Sequence, residues 1–187
     1  RVATGLARFD GLLGGGLPRG VVTQVVAPAV SSGATLLLSE VADALQRKSQ
    51  RVAWIDGTDN FEPGVLTTHL LWVRCRWVPE ALTATDLLLR DGNVPFVILD
   101  LKQSRNFELR RVSGQTWYRL QRLAEETQTS LVLLTRYPLA ACASVTLRLS
   151  FTLGINDLLV ASPELLAAAP FEVHWRKAFS EQAYAEA

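Results

Sequence analysis

Residues 21–48 read VVTQVVAPAVSSGATLLLSEVADALQRK, and this stretch decides the fold. Val21 to Val26 is an apolar, mostly β-branched run with the length of a buried strand. Leu36 to Lys48 switches to a helical period, with Leu37, Val41, Ala44 and Leu45 on one face. Between them lies Ala27 to Thr35, a loop of small residues. A strand that passes through such a loop directly into a helix can build an anion cradle, because loop N–H groups and the helix N-terminus face the same point.

Outward from this unit the alternation continues. Arg51 to Asp56 and His69 to Val73 read as strands, and Pro79 to Arg90 as a helix with proline at its start and Gly92 just past its end. Val94 to Asp100 is almost wholly apolar, as a strand buried on both faces should be. Thr116 to Gln128 repeats the helical period through Trp117, Leu120, Leu123 and Ala124, and Leu131 to Leu134 is another buried strand. Val145 to Leu153 alternates with Thr146, Arg148, Ser150 and Thr152, which predicts an edge or half-exposed strand. Phe171 to Trp175 reads as a last strand. Strands and helices in alternation predict an α/β fold with a mainly parallel sheet between two helical layers. In such a sheet, ligands bind beyond the carboxyl ends of the strands, here the turns after Val26, Asp56 and Asp100.

At 187 residues and 20.6 kDa the chain reads as one domain, with a glycine-rich segment over 1–20 and a C-terminal appendage over 154–187. The glycines at 14–16 predict a tight connector with positive φ. Hydrophobic residues make up 49% and charged residues 20%, which excludes disorder. No apolar run reaches the ~18 residues of a membrane span, and no stretch reads as a signal peptide. A net charge of +1 confines any polyanion contact to a local patch. Cys75 and Cys142 have neither metal nor disulfide spacing; they read as small core residues in a reducing cytoplasm. His69 and His174 are too few for a zinc site or a His-based triad. The chain has no methionine, so sequence before Arg1 is expected.

Four separated blocks resemble the RecA/RadA recombinase superfamily. Thr4-Gly5, Phe9-Asp10, Leu13 to Pro18 and Gly20 are similar to its N-terminal signature, and Pro28 to Thr35 to its P-loop. Val52 to Asp56, with Phe61 and Pro63, resembles its second core strand and the turn behind it. Val97 to Asp100 resembles its Walker B strand. The likeness runs from about Thr4 to about Thr135. Leu70 to Arg74 and Asp86 to Gly92 look most like the degenerate bacterial RecA-like branch typified by ImuA. The resemblance implies a RecA-like three-layer core.

The departures matter as much. A working P-loop reads G-x-x-x-x-G-K-[ST], its lysine reaching the β- and γ-phosphates. This chain has Ala34 in place of that lysine, and Pro28 where the first glycine belongs. Between Val21 and Gln46 there is no Lys or Arg. The family's catalytic Glu position, counted from Asp56, is Thr58; Asp59 is next to it. What remains of a degenerate nucleotide site is Ser31, Ser32, Gly33, Ala34, Thr35 and Asp100. Thr35 and Asp100 would hold magnesium only together with a nucleotide; Asp100 reads equally as a strand-end cap or a partner of Lys102.

In the recombinases the segments after the Walker B strand and after the next strand bind single-stranded DNA. The matching segments here are about 101–113 and about 136–144. The first carries Lys102, Arg105, Arg110 and Arg111 against Glu108; the second offers Arg136 and Tyr137. A basic patch of this kind serves nucleic acid or an acidic protein surface. Trp77, which closes Arg74-Cys75-Arg76-Trp77 just past a strand, serves to stack a base or to anchor a protein partner; Trp54 and Trp72 read as core. The implied role is a catalytically degenerate adaptor of DNA repair, recombination and SOS translesion mutagenesis. Its implied partners are a recombinase and a translesion polymerase-like protein, with single-stranded DNA as a further ligand. No catalytic residue, metal or cofactor is expected. The alternatives are a DNA-binding accessory protein, or an ATP- and magnesium-binding, DNA-dependent ATPase with an atypical P-loop.

Overall fold

The structure is a computed structural model that describes residues 1–62 and 70–176. Its strands are β1 (Val22–Val26), β2 (Val52–Asp56), β3 (Leu70–Arg74), β4 (Phe96–Asp100), β5 (Ser130–Thr135), β6 (Val145–Leu149) and β7 (Phe171–Trp175). They form one sheet in the order β3-β2-β4-β5-β1-β6-β7. Every pairing is parallel except β6 with β7. The helices are α1 (Ala7–Leu12), α2 (Ala34–Arg47), α3 (Val78–Asp91), α4 (Asn106–Leu109), α5 (Gly114–Thr127) and α6 (Ser162–Ala168).

Successive side chains of a strand point to opposite faces, so the apolar runs of β2, β4 and β5 supply two cores at once. Trp54, Phe96, Ile98, Val132 and Leu134 face α2 together with Leu37, Leu38, Val41 and Leu45. Ala53, Ile55, Val97, Leu99, Leu131 and Leu133 face α3 and α5, whose Ala81, Leu89, Trp117 and Leu120 close that layer. This is the expected α/β three-layer architecture. Trp54 is fully buried and Trp72 packs half-buried on the same cluster. Cys75 and Cys142 are buried and free in the other layer.

The N-terminal segment belongs to the first core. Val2 and Leu17 exchange backbone hydrogen bonds of 2.7 and 2.9 Å, and the connector between them has positive φ at Gly14, Gly15 and Gly16. Two expectations need correction. Strand β6 is half-exposed, with Thr146 half-buried and Arg148 exposed between buried neighbours, but it is not an edge, because β7 pairs antiparallel along its outer side. It also stops at Leu149, and residues 150–154 leave the sheet. His69 and Pro63 lie outside the described residues. Among those described, no helix is long and apolar enough to cross a membrane.

Candidate functional site

The register aligns Val26 with Thr135 and Asp56 with Asp100, which brings the turns after β1, β2 and β4 to one end of the sheet. The β1–α2 loop holds Ser31, Ser32 and Gly33 of the predicted site, and the first turn of α2 holds Ala34 and Thr35. Ala27 N–H donates to Thr135 O at 2.8 Å, which ties the loop's base to β5. Gly33 has φ +67° at the N-cap of α2, and a Cβ there would come within 3.0 Å of the Phe151 ring. Leu153 N–H donates to Ser31 O at 2.7 Å, so the segment after β6 latches the outside of the loop. Ala34 is buried as the first residue of α2, and Thr35 is exposed beside it. Among the described residues, no acceptor takes the backbone N–H groups of residues 29–33.

The cation absent from position 34 arrives from elsewhere. At the end of β4, Asp100 Oδ1 accepts the Lys102 backbone N–H at 3.0 Å, folding the chain back over the sheet edge. The Lys102 side chain then enters the β1–α2 loop and is only 5% exposed. Its Nζ donates to Val30 O at 2.8 Å and to Ser32 Oγ at 3.0 Å. Burial lowers the Lys102 pKa, Asp100 opposes that shift, and Arg136 adds to it. Asp100 is pushed up to about 6, chiefly by burial and further by Asp56, against the Lys102 N–H and charge.

Around this lysine lies a cavity of about 90 Å³ whose walls include Thr35, Asp56, Thr58, Phe61, Asp100 and Lys102. The Asp56 carboxylate accepts the N–H groups of Thr58 at 3.2 Å and Phe61 at 2.8 Å, so it shapes its own turn. Phe61 stacks on Trp54 with ring centroids 4.0 Å apart. Asp59 is withdrawn from the site. Both its oxygens bind the Arg74 guanidinium, at 2.6 and 2.8 Å, and this pairing holds its pKa below the usual carboxylate value. Thr58 therefore stands at the cavity wall with Asp59 engaged elsewhere, and a threonine hydroxyl does not act as a base near neutral pH.

The basic residues named from the sequence divide into two groups. Arg105, Arg110 and Arg111 are exposed around α4, with the Arg111 guanidinium 5.8 Å from the centre of the exposed Phe107 ring. Glu108 accepts the Val78 N–H at 3.0 Å, which brings exposed Trp77 to the same end. Lys102 and Arg136 do not join this face, which corrects their grouping with it. Arg136 donates to Lys102 O at 3.0 Å and to Gln103 Oε1 at 2.8 Å, bracing the turn that carries the lysine. The second segment is equally tied. Buried Gln24 accepts the N–H groups of Leu139 and Ala140 at 3.0 and 2.7 Å, and Tyr137 Oη bonds Asn106 Oδ1 at 3.1 Å. The inward course of Lys102 escaped sequence reasoning. Its one signal was a lysine placed two residues beyond a strand-end carboxylate.

No protein-family model matches the chain. Curated RecA proteins do match part of it. RecA of Rhodospirillum rubrum is 34% identical over 106 residues, covering 53% of this chain and 29% of that protein. RecA of Acidothermus cellulolyticus is 36% identical over 106 residues, covering 53% of this chain and 30% of that protein. The chain thus spans about 30% of the length of the curated relatives it matches. The crystal structure of the RadB recombinase superposes with a TM-score of 0.63 at 19% identity, covering 79% of this chain and 82% of that one.

Proposed function

We propose that this chain, whose core is related to the RecA/RadA recombinase superfamily, works as a non-hydrolysing RecA-like adaptor in DNA repair and recombination. Its relatives in sequence are RecA proteins and its fold is that of a recombinase. The observation that supports the adaptor reading is the wall of the cavity beyond β2. Thr58 lines it, and the neighbouring carboxylate of Asp59 is bound by Arg74. Cleaving a phosphoanhydride needs a group that takes or orients the proton of the attacking water. A threonine hydroxyl does not ionise near neutral pH, so Thr58 at that position supports binding over cleavage. The partners we propose are a recombinase and a translesion polymerase-like protein of the SOS response, met in the cytoplasm. Magnesium and ATP enter only under the ATPase alternative, where Thr35 and Asp100 would hold them.

Calorimetric titration with a bacterial recombinase and with a polymerase of the translesion class tests the reading. A complex with a Kd of roughly 1 μM or tighter is expected for at least one of them. No heat and no co-migration with either would contradict it.

One observation favours a second ligand. Arg105, Arg110, Arg111, Phe107 and Trp77 put positive charge and exposed rings on one end of the molecule, as single-stranded nucleic acid requires. Each phosphate neutralised on a single strand contributes about 0.7 to the slope of log K against log salt. Replacing Arg105, Arg110 and Arg111 together by alanine should weaken binding of a single-stranded oligonucleotide and lower that slope by about 2. An unchanged affinity and slope would place any nucleic-acid contact elsewhere.

A further inference from the structure

We propose that Lys102 supplies, from the turn after β4, the positive charge that position 34 lacks, so that the β1–α2 loop takes a phosphate-class anion through a relocated lysine. This goes beyond the adaptor reading and does not depend on it.

The argument starts from the hydrogen bonds of the ammonium. An ammonium has three donors. Those of Lys102 reach Val30 O and Ser32 Oγ, and no third acceptor is found among the described residues. Burying a cation with two neutral acceptors is costly unless a further charge or hydrogen bond compensates it. The nearest carboxylate on its own turn, Asp100, bonds the Lys102 backbone N–H and forms no ion pair with the ammonium among the described residues. The lysine is not there by slack. Arg136 braces the turn beneath it, and Leu153 latches the loop that receives it.

Its surroundings complete an anion site. The N–H groups of residues 29–33 take no acceptor among the described residues, and the 14-residue helix α2 begins at Ala34 with its positive end toward the loop. Lys102 and Thr35 both line the cavity there. Two carboxylates, Asp56 and Asp100, line the same cavity. Asp56 is held by two N–H groups and Asp100 by one. The outcome is a cradle charged by a lysine from the turn that follows another strand.

The test uses the chain labelled with 13C at the lysine ε carbons. The sequence holds only three lysines, Lys48, Lys102 and Lys177, so Lys48→Arg and Lys177→Arg assign the Lys102 signal. Pyrophosphate and Mg–ATP are titrated separately. Movement of the Lys102 signal in step with binding is expected. Lys102→Met should weaken binding by roughly tenfold or more, the scale of one charged hydrogen bond. Binding of pyrophosphate alone supports phosphate recognition; much tighter binding of Mg–ATP supports it too and identifies a nucleoside triphosphate as the source. If Lys102→Met does not fold, the wild-type Lys102 signal decides. A Lys102 signal unmoved by either ligand at about 10 mM, well past weak binding, overturns the proposal. So does equal or tighter binding by a folded Lys102→Met, since the ammonium would then be filling the cradle itself. Complex formation with a protein partner is unaffected by either result.

Discussion

Replacing Gly16 by alanine is expected to destabilise the fold by about 3 kcal/mol or more, and so to lower the melting temperature by roughly 10 °C. Gly16 has φ +118°, a conformation that L side chains rarely adopt. A Cβ would lie 2.2 Å from Val2 O, 2.7 Å from Val2 C and 2.8 Å from Ala3 Cα. All three are backbone atoms, so no side chain can swing away. The Val2–Leu17 bridge would have to open, and with it the seating of Val2, Phe9, Leu13 and Leu17 in the α2-side core. Gly11 is the internal control. It sits in α1 with nothing within 4 Å of a built Cβ, so Gly11→Ala should be neutral or stabilising by about 0.5 kcal/mol. Thermal unfolding followed by circular dichroism compares the two. A Gly16→Ala protein within about 1 kcal/mol of wild type would mean the connector is not seated as described.

Asp100→Asn is expected to stabilise the protein near pH 7.5 by up to about 3 kcal/mol, from a rise of about two pK units at about 1.4 kcal/mol each. The folded carboxyl titrates near pH 6, pushed up mainly by burial, whereas an unfolded aspartate titrates near pH 3.9. Between these values the folded state holds more protons than the unfolded state, so stability falls as pH rises from about 4 to about 6. Above that window the cost is constant. Asparagine keeps an oxygen for the Lys102 N–H and carries no charge to desolvate. Urea unfolding at about pH 4 and pH 7.5, on either side of that window, should show the two proteins nearly alike at the lower pH and separated at the higher. Equal stability at both would remove Asp100 as a strained charge. A strand-end carboxylate held at such a cost is the signature of a site shaped for binding rather than for stability.

The sheet was legible because its signals are local. Apolar runs such as Val97 to Leu99 and Leu131 to Leu134 declare burial on both faces, and α2 and α5 declare themselves by period. Positive φ at Gly14 to Gly16 was legible because three consecutive glycines have few other uses. The gathering of the turns after Val26, Asp56 and Asp100 at one end of the sheet was legible too, since all three residues close parallel strands. The rest depends on pairings far apart in the chain. The alternation in β6 is that of a strand with one open face, and nothing local reveals that β7 returns to cover its edge. Arg136 and Lys102 look like surface charges by composition. Their contacts follow from β4, β5 and β1 lying side by side, which sets the half-buried Arg136 guanidinium against the Lys102 carbonyl and the buried Lys102 ammonium against Val30, 72 residues away. The clamp of Gln24 on Leu139 and Ala140 spans the chain in the same way.

The adaptor reading stands on Thr58 at the cavity wall and on Asp59 bound by Arg74, which together predict no hydrolysis, and ATP turnover measures that directly. The purified chain is incubated with saturating Mg–ATP alone, with single-stranded DNA, and with DNA plus a bacterial recombinase whose own hydrolysis is disabled. Release of inorganic phosphate is followed in each. No turnover above the buffer control is predicted in all three mixtures. DNA-stimulated phosphate release that disappears in the Asp100→Asn protein would contradict the account and make this chain an ATPase.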